Sequence, residues 1–226
     1  MLSYLLNDGS DIRSYIVHLL LVIPIILLAL PVHEIAHGLA AKKLGDPTAD
    51  SLGRLTLNPL KHFDLIGSVC MLLFGFGWAK PVPIDTRYFK KPRRDMAISA
   101  LAGPIANILL ALVFALLLKL EYILFDLVAV SSQSAMTAWL LVSVFFRYGI
   151  MLNISFAVFN LLPIPPLDGS RILTYLLPPK AAYWLVRYES IIHLVLFAAL
   201  FIGVLDPVLD ILVSGAMRLI DLLFGF

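Results

Sequence analysis

The sequence predicts an α-helical, polytopic membrane protein with about five transmembrane helices, a re-entrant segment and a short membrane-associated β element. Of its 226 residues, 61% are hydrophobic and 14% are charged, whereas a soluble domain carries about 25% charged residues. Its apolar residues are gathered in runs, several of them long enough to cross a bilayer. The net charge of +2 belongs to the loops and gives no indication of nucleic-acid binding.

The predicted transmembrane helices are the apolar runs at 15–44, 96–118, 135–162, 190–205 and 208–224. The first would be about 45 Å long, which exceeds the thickness of a bilayer core. It ends in Lys42-Lys43 followed by Gly45, a pattern typical of a helix C-terminus. Arg147 lies near the middle of the third run, where it pairs with an acid, lines a polar cavity or snorkels to the interface.

Residues 65–79 are apolar but short, and their glycines weaken a helix. Basic residues stand on both sides of this segment, and basic loops mark the cytoplasmic side of a membrane protein. A spanning segment would place one of the two basic groups outside, so we expect 65–79 to be re-entrant. The ends of 15–44 and 135–162 then meet at the cytoplasmic face.

The β element is predicted at residues 54–58. Its sequence is Arg54-Leu55-Thr56-Leu57-Asn58, which alternates polar and apolar side chains with the period of a strand. The alternative interpretation is an irregular surface loop.

The first apolar run contains the pattern His33-Glu34-Ile35-Ala36-His37. Positions i and i+4 share one helix face, so both histidines can direct a ring nitrogen at a single ion. The glutamate stays free to act on water. Ionisable groups are costly inside a membrane and indicate a functional site. The pattern therefore predicts a zinc site with two histidine ligands and a general base.

A catalytic zinc needs a third protein ligand. Asp168 is the favoured candidate, because it follows three prolines after the third long run and stands in an apolar stretch. A simple Asp-Gly turn is the alternative interpretation of this residue. Its rivals as ligands are Asp64, Asp95, His62 and Glu189. They lie beside basic or boundary residues, where a solvated charge is expected.

These motifs resemble those of the site-2 protease family of intramembrane zinc metalloproteases. The pattern at 33–37 matches the family's first motif, and 160–169 match its second, an Asn-Pro-Asp-Gly type segment. Residues 102–107 resemble a third motif. The stretches 45–59 and 76–83 resemble the compact bacterial and archaeal members, which lack PDZ and CBS domains.

The resemblance implies hydrolysis of peptide bonds within or near the transmembrane helices of other membrane proteins. It implies one Zn²⁺ per chain, held by His33, His37 and Asp168, with Glu34 as the base. We expect a multi-pass protein of the cell membrane with its active site near the cytoplasmic face. Membrane lipid and a substrate helix are the predicted partners, and nucleic acid is not.

The resemblance also implies supporting residues. Asn107 belongs to a motif whose asparagine has been proposed to assist near the scissile carbonyl, and Asn160 is a second candidate for this role. Independently of the resemblance, we expect the strand at 54–58 to bind the unwound substrate, since an exposed strand edge can satisfy amides that would otherwise be unpaired in the membrane. The chain is predicted to form one membrane-embedded domain over 1–226, with a catalytic core at about 15–175 and C-terminal helices at about 185–226.

Two other classes of protein remain as alternatives. A membrane transporter that binds a metal ion would spread ionisable residues over several spans or show inverted repeats, and neither is visible in the sequence. An inactive, chaperone-like homologue would normally lose Glu34 or a metal ligand, and all of them are present.

Overall fold

A computed structural model describes residues 12–64, 67, 80–128 and 132–226. Its main helices are α1 (Ile12–Lys43), α2 (Thr48–Ser51), α3 (Pro92–Leu127), α4 (Gln133–Leu161), α5 (Asp168–Leu176), α6 (Pro179–Arg187), α7 (Glu189–Ile202) and α8 (Asp206–Phe224). Short 3₁₀ turns occur at Pro59–Lys61 and Thr86–Tyr88.

Three of the described helices, α1, α3 and α4, are long and apolar enough to cross a membrane. Helices α6 and α7 meet at a bend of 63° and would form a fourth span if they act as one. The chain is therefore a polytopic helical membrane protein. About five spans stay a prediction, because α7 has only 14 residues and α8 carries several charges.

The ends of the long helices follow from local chemistry. Helix α1 ends close to the predicted position, where Gly45 adopts a φ of 111° that L side chains rarely tolerate. Helix α4 lies within two residues of its predicted bounds. The prediction of 96–118 was too short for α3, which begins at Pro92 and continues past the charged residues Lys119 and Glu121 to Leu127. Glu121 is accommodated there by a hydrogen bond from Ser143.

Helix α3 lies at the centre of the bundle, packed against α1, α4 and α5. The buried core joins four helices, with Ile25 from α1, Leu118 from α3, Ile154 from α4 and Ile220 from α8. Small residues such as Ala111 and Ala115 are fully buried in this core, which lets the helix backbones approach closely. The position of α3 brings polar side chains from its first half against α1.

Helix α5 is fixed to its neighbours by two arginines. Arg93, in the first turn of α3, donates hydrogen bonds to the carbonyls of Thr174 and Leu177 at the C-terminal end of α5. Arg171 of α5 forms an ion pair of 2.7 Å with Glu189 of α7. The first contact satisfies carbonyls at the C-terminal end of α5, and the second joins the middle of α5 to the start of α7.

Three further predictions concern the β element, the re-entrant segment and the partner of Arg147. No strand is assigned in residues 54–58, which form no ladder with the rest of the described chain, so the β element remains a prediction. The re-entrant segment at 65–79 falls outside the described residues except for Gly67. Arg147 donates to the hydroxyl of Tyr122 at 2.9 Å and lies over the ring of Phe226, so among the described residues its partners are aromatic rather than acidic.

Candidate metal centre

Two imidazoles and one carboxylate converge where α1 meets the start of α5. The Nε2 atoms of His33 and His37, one turn apart on α1, are separated by 3.0 Å. Asp168 places its Oδ2 3.1 Å from Nε2 of His33 and 3.2 Å from Nε2 of His37. The two histidines are only 6% and 7% exposed. The three predicted ligands thus form one buried cluster that could hold a metal ion.

The dimensions of this cluster suit a tetrahedral ion. Zinc binds imidazole nitrogen and carboxylate oxygen at about 2.0–2.2 Å, so two of its tetrahedral ligands lie roughly 3.3–3.5 Å apart. The three ligand atoms here are separated by 3.0, 3.1 and 3.2 Å. The separations in the cluster are only about 0.1–0.5 Å shorter than those of a zinc site.

The other nitrogen of each ring is engaged by α3. Nδ1 of His37 lies 2.8 Å from the carbonyl oxygen of Ser99, which can only accept a hydrogen bond, so Nδ1 carries the proton. Nδ1 of His33 lies 2.5 Å from Oδ1 of Asn107. Second contacts of this kind hold the ring orientation of metal-binding histidines.

A chain of amides determines the tautomer of His33. Asn153 on α4 donates from Nδ2 to the carbonyl of Gly149 at 2.8 Å, so its Oδ1 must act as an acceptor. That oxygen accepts from Nδ2 of Asn107 at 2.9 Å, which leaves Oδ1 of Asn107 to accept from His33. Both asparagines are fully buried. The proton of His33 is therefore held on Nδ1, and Nε2 presents a lone pair.

Nε2 of His33, Nε2 of His37 and Oδ2 of Asp168 consequently direct their lone pairs at one point. Oδ2 of Asp168 is buried and has no hydrogen-bond partner in the described part of the chain, because the ring protons of His33 and His37 are used on the far side. A carboxylate facing two lone pairs is unfavourable without a cation between them, so the cluster fits a metal ion.

Gly103 of α3 makes room for the two rings. A Cβ at this position would lie 2.4 Å from Nε2 of His37 and 2.7 Å from Cε1 of His33, far inside normal contact distance. We expect Gly103→Ala to displace the rings and to weaken zinc affinity by roughly tenfold to a hundredfold, as other changes that disturb ligand orientation do. Competition with a fluorescent chelator measures this affinity.

Gly215→Ala is the matched control for this prediction. A Cβ on Gly215, in the middle of α8, would have no neighbour within 4 Å, so the same substitution should leave zinc affinity unchanged. If the alanine at position 103 leaves zinc affinity at the wild-type value, the close packing of α3 on the rings is wrong.

Asp168 reaches the cluster because α5 begins against the end of α4. It is the first residue of α5 rather than part of an Asp-Gly turn, so that alternative was wrong. A Cβ on Gly169 would lie 2.2 Å from the carbonyl oxygen of Leu161. Since that contact is with backbone, only glycine allows α5 to start so close to α4.

Glu34, the neighbour of His33 on α1, is held by a main-chain group. Its Oε2 accepts a hydrogen bond of 2.7 Å from the backbone N–H of Val82. Arg54 donates to the carbonyls of residues 80 and 81 at 2.8 and 3.2 Å. Glu34, the predicted base, and Arg54, in the predicted substrate-binding segment, therefore both form hydrogen bonds with main-chain groups of residues 80–82.

The predicted rivals of Asp168 lie elsewhere, but two of them were described wrongly. Asp95 and His62 are each only 1% exposed and are not solvated charges. The Asp95 carboxylate accepts from the N–H of Lys91 and from Arg94 at the start of α3. Nε2 of His62 bonds the carbonyl of Thr56 at 2.8 Å. Both are buried because they satisfy local backbone groups.

The other two rivals have partners of their own. Asp64 accepts a hydrogen bond of 2.9 Å from the N–H of Gly67, and Glu189 forms the ion pair with Arg171. Asn160 donates to the carbonyl of Phe156 within its own helix at 3.0 Å, and its assisting role remains a prediction.

Sequence reasoning missed Asn153, Gly103 and the Ser99 carbonyl. A polar residue in the third apolar run was a usable indication of Asn153, since buried amides in spans need partners. The contact of Ser99 is made by backbone and leaves no mark in the sequence. Asn107 was predicted as an assisting residue, and its contacts with His33 favour a positioning role.

A buried His-Glu-x-x-His helix joined by a distant aspartate, inside a bundle of membrane-crossing helices, defines a membrane-embedded metallopeptidase. The chain belongs to peptidase family M50, which matches residues 21–203. This confirms the resemblance to the site-2 proteases that the motifs indicated, and it identifies the chain as a metalloprotease of that family.

Three relatives are each named "Putative zinc metalloprotease". YwhC of Bacillus subtilis is 39% identical over 204 residues, which cover 88% of this chain and 90% of the relative. Rip2 of Mycolicibacterium smegmatis is 32% identical over 185 residues, 79% of this chain and 66% of the relative. MJ0611 of Methanocaldococcus jannaschii is 30% identical over 144 residues, 63% of each. No solved structure matches the chain significantly.

Proposed function

We propose that this protein is a zinc-dependent intramembrane protease that cleaves peptide bonds within or near transmembrane helices of other membrane proteins. The observation that carries the proposal is the cluster of His33, His37 and Asp168 among membrane-crossing helices. One zinc ion per chain would be held by these three side chains, with a fourth position left for water or substrate.

The proposed chemistry needs one base next to the ligands. Zinc bound in such a site would supply Lewis acidity, which makes water more acidic and polarises the scissile carbonyl. Glu34 takes the proton from the attacking water and later donates it to the leaving amine. Its bond to the N–H of Val82 holds the carboxylate in one orientation, and Asn107 and Ser99 hold the imidazoles.

Removal of the metal tests the proposed function. Purified full-length protein in lipid vesicles with a labelled transmembrane peptide should cleave the peptide within its apolar segment. Treatment with a zinc chelator should abolish cleavage, and added zinc should restore most of it, because α3 holds the two imidazoles in place without the ion. Cleavage that persists in metal-free protein would contradict the proposal.

Residues 54–58 are proposed to bind the unwound substrate. An unwound stretch in a membrane has unsatisfied amides that cost several kcal/mol each, and an extended main chain can satisfy them. Leu55 packs onto Gly38, the residue after His37, where a Cβ would lie 2.4 Å from the leucine side chain. The segment therefore lies against α1, one residue after the second histidine.

The hydrogen bonds of this segment indicate its free edge. The N–H of Arg54 donates to the carbonyl of Ala49, and the carbonyl of Thr56 accepts from His62. In an extended chain, alternate residues direct their main-chain groups to the same side. Within the described chain, the main-chain N–H and C=O groups of Leu55 and Leu57 have no such hydrogen-bond partner. These groups are therefore proposed to face the substrate.

Proline substitutions test this assignment, because proline cannot donate a ladder hydrogen bond. Leu57→Pro should reduce cleavage strongly and retain zinc, whereas Leu57→Ala, which removes the same side chain but keeps the N–H, should not. Across positions 54 to 57 we expect activity to alternate, with the losses at 55 and 57. Peptide cleavage and zinc content measure the two effects. Normal cleavage by every folded proline variant would show that the segment is only a loop.

The location and topology are proposed on the same basis. We place the protein in the cell membrane with its metal centre near the cytoplasmic face, since basic residues flank both sides of 65–79. About five spans and a re-entrant segment would complete one embedded domain, with α7 and α8 as its C-terminal helices. A transporter or inactive chaperone receives no support from the described residues.

A further inference from the structure

A cavity of about 310 Å³ lies between α3 and α4. Glu121 and Trp139 line it. Each of them lies about 21 Å along its helix from the contact of Asn107 with Asn153. The cavity is therefore at the opposite end of the bundle from the metal centre, and the proposed proteolysis gives it no role.

Two polar atoms in this cavity have no partner within the described residues. Glu121 is 6% exposed; its Oε1 accepts a hydrogen bond of 2.9 Å from Ser143, while its Oε2 is buried and unpaired. The indole Nε1 of Trp139 is also buried and unpaired. Buried polar groups in native proteins nearly always have partners. One carboxylate acceptor and one N–H donor, on two residues that line this cavity, thus lack a partner. Both atoms are closed off in this conformation, so a ligand in the cavity would contact them once the two side chains turn towards it.

The surroundings define the chemistry of that ligand. Tyr122, Phe125 and Trp139 contribute aromatic rings to the wall, with the last two packed edge to face at 5.6 Å. Such rings beside a carboxylate favour a cation. Met136 and Leu140 line the same cavity and are 49% and 63% exposed, so an apolar surface continues from its rim. The ligand should combine an ammonium group, an acceptor and an apolar tail.

We propose that this cavity binds the headgroup of a phospholipid that carries a primary ammonium, of the ethanolamine type. The ammonium donates to Oε2 of Glu121, and a phosphate oxygen accepts from Nε1 of Trp139. The acyl chains follow the exposed apolar faces of α3 and α4. A choline headgroup has the same charge but offers no N–H, so it leaves Oε2 unpaired.

Lipid retention measures this preference. Full-length protein is reconstituted in discs of equal parts ethanolamine and choline phospholipids with the same acyl chains, extracted in mild detergent and weighed by native mass spectrometry. Wild type should retain the ethanolamine lipid about tenfold over the choline lipid, as expected for one charge-assisted hydrogen bond. Glu121→Gln, which can keep the Ser143 bond, should lose this preference. Trp139→Phe should lower retention of both lipids by the same factor.

Asp126→Asn is the matched control. Asp126 is an exposed carboxylate at the same end of α3 and does not line the cavity, so the preference should survive its loss. A parallel arm adds free phosphoethanolamine, which should compete weakly because it lacks acyl chains. The proposal would be overturned if wild type retained the two lipids equally or if the preference persisted in Glu121→Gln. It would also be overturned if free phosphoethanolamine displaced the lipid at lipid-like concentration, or if the lysine of a transmembrane peptide occupied the cavity instead of lipid.

Discussion

Glu34→Gln is expected to abolish proteolysis while zinc content stays at the wild-type level. Glutamine keeps the size of the side chain and can still accept the hydrogen bond from Val82, so the local structure persists. It cannot take a proton from water. The loss of general-base catalysis alone should lower the rate by roughly a thousandfold, and peptide cleavage with parallel zinc analysis measures both quantities.

Asp50→Asn is the control for this variant. Asp50 is an exposed carboxylate just beyond the end of α1, paired with Lys42 at 2.8 Å, and surface pairs of this kind contribute little. Its loss should leave cleavage unchanged. Near-normal turnover by Glu34→Gln would remove Glu34 from the mechanism.

Asp168→Ala is expected to cost the protein both its zinc and its activity. The two imidazoles remain in place through Asn107 and Ser99, but the cluster loses its only anionic ligand. Zinc affinity should fall by at least about a hundredfold, since even changes outside the ligand set cost 10–100-fold. Equilibrium dialysis against a zinc buffer measures the change, and circular dichroism checks that the helices persist.

Asp206→Ala provides the comparison, because Asp206 is the first residue of α8 as Asp168 is of α5. The Asp206→Ala substitution removes a carboxylate from the same position of a helix. Asp206 is exposed and lies far from α1 in the sequence. Zinc affinity should not change. If Asp168→Ala binds zinc as well as Asp206→Ala does, the third ligand lies elsewhere.

Helix periodicity explains why much of the site could be predicted. The spacing of His33 and His37 places them on one face wherever that stretch is helical, and an apolar run of such length in a membrane has little alternative to a helix. Asp168 was found by its motif, although its place at the start of α5 depends on the packing of Gly169 against α4.

The remaining features depend on which helices touch, and a single sequence does not show this. The contact between Asn107 and Asn153 joins α3 to α4, and Gly103 is needed only because α3 lies against the imidazoles. Asp95 beside two basic residues was expected to be solvated, yet the first turn of α3 buries it by satisfying both its oxygens. The length of α3 was underestimated because Glu121 finds a partner on α4.

The central claim is that His33, His37 and Asp168 together hold one zinc ion. X-ray absorption at the zinc edge of the purified full-length protein tests it most directly. We predict one zinc per chain with two imidazole rings and only nitrogen and oxygen ligands, at about 2.0–2.2 Å. His37→Ala should lose one of the rings. A zinc ion bound by sulfur, which in this chain would require Cys70 or a methionine, or a zinc ion without imidazole ligands, would contradict the account.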